Sequence, residues 1–243
     1  MRKGRLHLAK TLELDAEAMK AMSDAELQDA IVAALSEDAY ARQAEIASAE
    51  GAPVSFRGKH LALGMESTFF MCPDCGQIGT LTSDDEGARC TSDGCGFAAK
   101  YLPTGYLEGA RFETLTEWDL WQHAELDARI AAAREAAGEG AEPVQLFADD
   151  VILDHYNEAH ELLSSVPGHL TVFVGGESFA TFAPKDGEPI IVTQADVEGM
   201  ALFVRNTLIA HVGKPAQHFE VRGADDLRFN AVKYSYAFDT MRG

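Results

Sequence analysis

No run in this sequence approaches the roughly 18 continuous apolar residues that a membrane-spanning helix needs, and the first twenty residues, basic and then acidic, contain no apolar signal core. A transmembrane span and a secretory leader are therefore not expected. Basic charge is also scarce. Twenty Lys and Arg stand against 39 Asp and Glu, a net charge of -19. This argues against nucleic acid or an anionic lipid surface as the main partner. Neither common Gly-rich phosphate loop is present, nor is a G-x-S-x-G nucleophile elbow. No internal repeat or low-complexity tract is evident. What remains, 47% apolar residues in 243, is ample for a packed core in one or two domains.

Cysteine is rare too, and all four are gathered in one stretch, Cys72 and Cys75 in C-P-D-C-G, Cys90 and Cys95 in C-T-S-D-G-C-G. Two short paired turns are what a tetrahedral zinc site requires, with thiolates approaching from both sides and no open position for water. The glycine after each pair, Gly76 and Gly96, suits the backbone turn. Two disulfides or four free thiols are the alternatives. Closely paired cysteines fit metal binding in a reducing cytoplasm. Asp84-Asp85-Glu86-Gly87 lies between apolar segments and predicts a hairpin, so a zinc ribbon is expected over about 66–101. That stretch holds six carboxylates (Glu66, Asp74, Asp84, Asp85, Glu86, Asp93) and two cations (Arg89, Lys100), which disfavours DNA or RNA as its ligand.

The remaining pattern predicts an α+β fold in two domains. Over 1–142, a short strand at 5–10 precedes a helical turn at 15–22, and Ser23-Asp24-Ala25-Glu26 is a capping box. The helix it opens should bury Leu27, Ile31, Val32 and Leu35, and Ser36-Glu37-Asp38 should cap another. Thr114-Leu115-Thr116-Glu117 starts a helix to about 137 that carries both tryptophans, Trp118 and Trp121, on one face. They either pack on the ribbon and N-terminal helices or form an aromatic ligand platform. A linker follows at 138–143. Over 143–243, short strands are expected at 144–147, 151–156, 162–165, 169–174, 178–182, 190–193, 202–205, 207–211 and 218–221. Turns such as Pro167-Gly168 separate them, and a helix from 225 to about 241 ends the chain. Many short strands and one helix suggest a small barrel like a pleckstrin-homology domain.

Other groups read more simply as surface chemistry. His155 and His160, with Glu158 or Glu161, could be written as metal ligands but read as surface histidines. The Arg57-Gly58-Lys59-His60 cluster reads as a solvated turn, and Asp84-Asp85-Glu86 as a solvated loop tip. His123 and Asp127, four apart on a helix, suggest a salt bridge.

Several of these segments together resemble the C-terminal extension of bacterial lysophospholipid acyltransferases of the 1-acylglycerol-3-phosphate type. They are Met22-Ser23-Asp24-Ala25-Glu26-Leu27, Arg57 to Ala62, Gly64-Met65-Glu66, the ribbon ending in Cys95-Gly96-Phe97, Phe112 to Gln122, and Asn230-Ala231-Val232-Lys233-Tyr234. The resemblance spans most of the chain and is most specific from Arg57 to Gln122. It implies a zinc-binding accessory or regulatory region. Its partner would be an acyltransferase catalytic domain, in cis or in trans, at the cytoplasmic face of the membrane. The family's catalytic H-x4-D pair and its F-P-E-G-T-R type phosphate motif are absent. No catalytic or cofactor-binding residue transfers, and only Cys72, Cys75, Cys90 and Cys95 do, as ligands of one structural zinc ion. The chain would then be either the tail of a longer acyltransferase or a separate accessory protein. The competing expectation is a free-standing zinc-ribbon adaptor that binds a protein through the Trp118/Trp121 face or the β-rich half.

Overall fold

The computed structural model describes residues 10–136, 142–176, 178–204, 206–224 and 229–242. The expected strand at 5–10, most of the linker and the expected start of the last helix at 225 fall outside them or at their edge. The chain divides into two compact units. One is the chain up to Lys59 with Pro103–Gly105, and the other is His60–Leu102 with Tyr106–Gly243. The division thus lies at 59/60, whereas the composition change suggested 142/143.

The first unit holds α1 (Ala16–Ala21), α2 (Asp24–Leu35) and α3 (Ala39–Glu50). Each starts on a side-chain acceptor: Asp15, Ser23 in a reciprocal box with Glu26, and Asp38. Gly51, at φ +83°, ends α3 in the left-handed conformation that glycine adopts without cost. The expected buried face of α2 is not formed. Ile31, Val32 and Leu35 are 40%, 49% and 77% exposed, and the helix buries no residue. The unit is joined by polar links instead. The Gln43 amide donates to the carbonyls of Val54 (3.0 Å) and Thr104 (2.9 Å) and accepts from Val54 N (2.9 Å). Tyr40 OH donates to Gly105 O.

The second unit opens with a 3-10 turn, Met65–Ser67, and a four-stranded antiparallel sheet of β1 (Leu81–Ser83), β2 (Gly87–Cys90), β3 (Ala98–Tyr101) and β4 (Leu107–Glu108). Next comes α4 (Leu115–Ala136). The β-rich half contains β5 (Val144–Tyr156), β6 (Leu162–Val174), β7 (Ser178–Pro184), β8 (Ile190–Thr193), β9 (Val197–Phe203), β10 (Thr207–Val212) and β11 (Gln217–Gly223), and α5 (Val232–Arg242) closes the chain. The seven strands are ordered β8-β7-β6-β5-β11-β10-β9, all antiparallel. A four-strand meander and a three-strand meander are thus joined through the first and last strands. The α+β expectation, with a β-rich C-terminal half ending in a helix, holds.

Two pairs of expected strands are single long ones. The segments at 144–147 and 151–156 run together as β5, with the register slipping between Gln145 and Phe147. Pro167 and Gly168 do not turn the chain but pair in register with Ile152 and Val151 inside β6. Pro167 contributes only its carbonyl there, accepting from Lys185 N (3.1 Å). A β-carbon at Gly168 would stand 2.5 Å from both Ala183 O and the Phe182 ring. The glycine is there because β7 crosses too close for any side chain.

Helix α4 positions the site. Trp118, Gln122, Leu126, Ile130 and Ala133 are buried at helical spacing along one stripe. Its first turn enters a small core with Phe69, Cys72, Leu81, Cys90 and Phe97. Its later turns enter the larger core, with Phe70, Met71, Phe147, Val172, Tyr234 and Phe238.

Gly168→Ala is expected to destabilise by about 1–3 kcal/mol through this overpacking. Gly199→Ala, which meets nothing within 4 Å, is expected to stay within about 0.5 kcal/mol of the parent. Urea midpoints of the two variants check the contrast.

Candidate metal centre

The four cysteines meet at one point although they come from two turns fifteen residues apart. In the first turn Gly76 N donates to Cys72 O (2.9 Å), and Cys72 N donates to Gln77 O (3.0 Å). Gly76 takes φ +69°, so the chain reverses within the C-P-D-C-G unit. In the second, Cys90 N donates to Phe97 O and Cys95 N to Ser92 O, both at 3.1 Å. The left-handed residue of this turn is Gly94 (φ +75°) and not Gly96. With four residues between the cysteines, the reversal is completed before Cys95. Hairpin β1–β2 pairs Leu81 with Cys90, Thr82 with Arg89 and Ser83 with Ala88, and this carries the second turn back over the first.

The ligating sulfurs all lie within 4.8 Å of one another, the one such group of His, Cys, Asp or Glu ligand atoms among the described residues. Cys72 Sγ is 3.7 Å from Cys95 Sγ, and Cys75 Sγ is 3.8 Å from Cys90 Sγ. All four are free thiols. Sulfurs about 2.3 Å from a tetrahedral ion stand about 3.8 Å apart, so the cluster has the size of a four-thiolate metal site and is compatible with zinc. Backbone amides support the thiolate form. Ser92 N donates to Cys90 Sγ (3.4 Å), and the amides of Asp74 and Cys75 face Cys72. Burial pushes the Cys72 thiol well above its usual range despite those amides. At Cys90 burial pushes upward, but the Thr80 hydroxyl, the Ser92 amide and the neighbouring thiols outweigh it and hold that thiol below its usual value. A metal must displace a proton from Cys72, whereas Cys90 is already inclined to lose one.

The tryptophans pack and do not form a ligand platform. Trp118 is fully buried, stacked on Phe69 (4.6 Å between ring centroids) and edge-on to Phe97 (5.4 Å), and its indole N–H donates to Met71 O (3.0 Å). Trp121 lies partly buried against Phe112, with the Arg111 guanidinium 4.2 Å over its ring. One turn further along, Gln122 accepts from Phe70 N (2.9 Å) and donates to Thr68 O (3.3 Å). Four consecutive ribbon residues, Thr68 to Met71, are therefore tied to α4 through backbone atoms or ring contact.

Other expectations change. His123 does not pair with Asp127. Its ring stacks on Tyr236 (3.9 Å), while Asp127 accepts from Tyr236 OH and Thr240 Oγ1, both at 2.9 Å. His60 pairs with Asp85. Asp84 is occupied by the amides of Glu86 and Gly87 and by Arg89 (3.0 Å), so the acidic loop tip folds on itself. His155 stacks on Phe219, and Glu161 accepts from Asn157 Nδ2.

Sequence reasoning missed the buried polar group around Lys233. Lys233, 1% exposed, places its ammonium 2.6 Å from Asp149 Oδ2, which also accepts from Tyr234 OH (2.5 Å). Burial pulls the Lys233 pKa down and drives that of Tyr234 well up. Asn230 Nδ2 donates to Glu66 O (2.9 Å), and Lys233 N donates to Asn230 Oδ1. The signal was present in the alternation of β5, where Asp149 shares the parity of the buried Phe147 and Val151.

Cys72→Ser is expected to lose the metal and the fixed environment of Trp118, read as metal content per chain and near-ultraviolet circular dichroism. Retention of both would contradict the site. Because thiol protons must leave, apparent metal affinity should fall about tenfold or more per unit as pH is lowered from 8 to 6, measured by competition with a chromophoric chelator. Neither a protein-family model nor a curated protein matches this chain.

Proposed function

We propose that the chain is a zinc-ribbon accessory region of a phospholipid-synthesising acyltransferase, holding one structural zinc ion and docking on a catalytic domain in cis or in trans. The observation that supports it is the sulfur cluster of Cys72, Cys75, Cys90 and Cys95, whose 3.7 and 3.8 Å edges suit Zn–S bonds of about 2.3 Å. Bound there, zinc supplies a crosslink between the two turns and no open coordination position. The cysteines would release their protons to solvent and hold it as thiolates, the Ser92, Asp74 and Cys75 amides face the sulfurs, and Trp118 keeps water from one side.

The resemblance to the acyltransferase extension fits the same account. It is most specific from Arg57 to Gln122, and Ala62, Met65, Cys72, Phe97 and Trp118 of that stretch pack into one core. Residues that define such a core are those a module needs in order to fold. Among the described residues no helix is long and apolar enough to cross a membrane, so membrane proximity would come through the partner.

The zinc-loaded protein is expected to form a complex with a separately expressed 1-acylglycerol-3-phosphate acyltransferase catalytic domain. No association at high micromolar concentration would contradict docking. Alone, it is expected to transfer no acyl group from an acyl thioester to lysophosphatidate, and turnover would refute that part.

One observation favours the alternative, a free-standing adaptor. The exposed Ile31, Val32 and Leu35 give α2 an apolar stripe, while the buried Trp118 cannot serve as a contact. Under this reading Leu35→Asp folds normally and loses its partner in crosslinking from source cells. Unchanged crosslinks would exclude it.

A further inference from the structure

Two of the eight histidines meet, and a third lies beside one of them, where the β5–β6 turn meets the β10–β11 hairpin. His211 and His218 are direct partners across β10 and β11, so their side chains leave the same face of the sheet. His211 Nε2 lies 3.3 Å from His218 Nδ1. Two imidazole nitrogens bound about 2.0–2.1 Å from one tetrahedral ion lie about 3.3–3.4 Å apart, so this pair already has the spacing of two ligands of one metal.

The other nitrogen of His218 is held in the way that metal-bound histidines usually are. His218 Nε2 is 3.4 Å from Glu220 Oε1, two residues further along β11 on the same face. A carboxylate there keeps the proton on Nε2 and leaves the Nδ1 lone pair aimed at His211. The third imidazole is that of His160, perpendicular to His218 with ring centroids 5.6 Å apart. Its backbone sits at φ +57°, a region that non-glycine residues seldom enter. His155, which the sequence pairs with His160 across the same turn, faces Phe219 and takes no part.

We propose that His211 Nε2, His218 Nδ1 and, after rotation of its ring, His160 form a second metal site for a borderline divalent cation such as Zn2+ or Ni2+, with Glu220 orienting His218. Imidazole ligands select this class over Mg2+ or Ca2+. Three protein ligands leave a position for water or for a donor from a partner, unlike the closed four-sulfur centre. His211 and His160 are exposed while the His218 side chain is mostly covered, at 18% exposure, so an ion would exchange with solvent from the His211 side and occupancy would follow supply.

The test is titration of the protein, with its four-cysteine site already loaded, with Ni2+ and separately with Zn2+ by calorimetry. One further ion per chain is expected to bind at micromolar concentration. His211→Ala and His218→Ala should each weaken it at least tenfold, Glu220→Gln about tenfold, and His160→Ala measurably, while His155→Ala leaves it unchanged. No second ion at millimolar Ni2+, an unchanged affinity in the His211→Ala/His218→Ala double variant, or an unchanged affinity in His160→Ala would each overturn the three-histidine site. Should a variant fail to fold, the unsubstituted protein gives the answer. Ni2+ should protect His211 and His218 from carbethoxylation, read by peptide mass spectrometry, and equal labelling with and without the ion would overturn the proposal.

Discussion

The fold turns on the segment from Phe69 to Cys72, four residues whose side chains are divided between two cores. Phe69 and Cys72 enter the core of the ribbon, and Phe70 and Met71 enter the larger core beneath the seven-stranded sheet. Such a segment must be held still along its backbone, because a slip of one residue would send one side chain of each set into the other core. Helix α4 holds it from one side. The Trp118 indole N–H and the Gln122 amide satisfy Met71 O and Phe70 N inside the protein, where water cannot. A metal ion in the four-cysteine cluster would hold it at the end, through Cys72. A structural metal here would fix more than the small ribbon. It would set the register at which the ribbon joins the β-rich half.

The buried polar groups refine that junction. The carbonyl of Glu66 is bound by Asn230, next to α5, and Lys233 reaches Asp149 on β5. Burying this ammonium is costly, and an apolar residue of similar size would pack as well or better. The ion pair contributes selectivity, since any other seating of α5 strands Lys233 or Asp149 without its partner. Asn230, Lys233 and Tyr234 therefore act as a latch between the last helix, the long strand β5 and the entry to the ribbon.

Features set by neighbours in sequence were legible in advance. The cysteine turns, the β1–β2 hairpin and the capping residues Ser23 and Thr114 depend on a few adjacent residues. Features that depend on what arrives from far away were not. Pro167 and Gly168 carry every local mark of a turn, yet β5 and β7 on either side keep them extended. The i, i+4 spacing of His123 and Asp127 predicts a pair, but Tyr236 from α5 stacks on one and hydrogen-bonds the other. The periodicity of α2 predicts a buried apolar face, but Ile31, Val32 and Leu35 stay exposed because no other element among the described residues packs on them. The cross-strand histidines were invisible for the same reason, because His211 and His218 face one another only once the register of β10 on β11 is set.

The most direct test of the central claim is X-ray absorption at the zinc edge of protein purified without added metal. The account predicts one zinc ion in a shell of four sulfurs at about 2.3 Å, with metal content and shell both lost in Cys72→Ser. A protein that folds with no metal, or one whose ion sits among nitrogen and oxygen atoms alone, would contradict it.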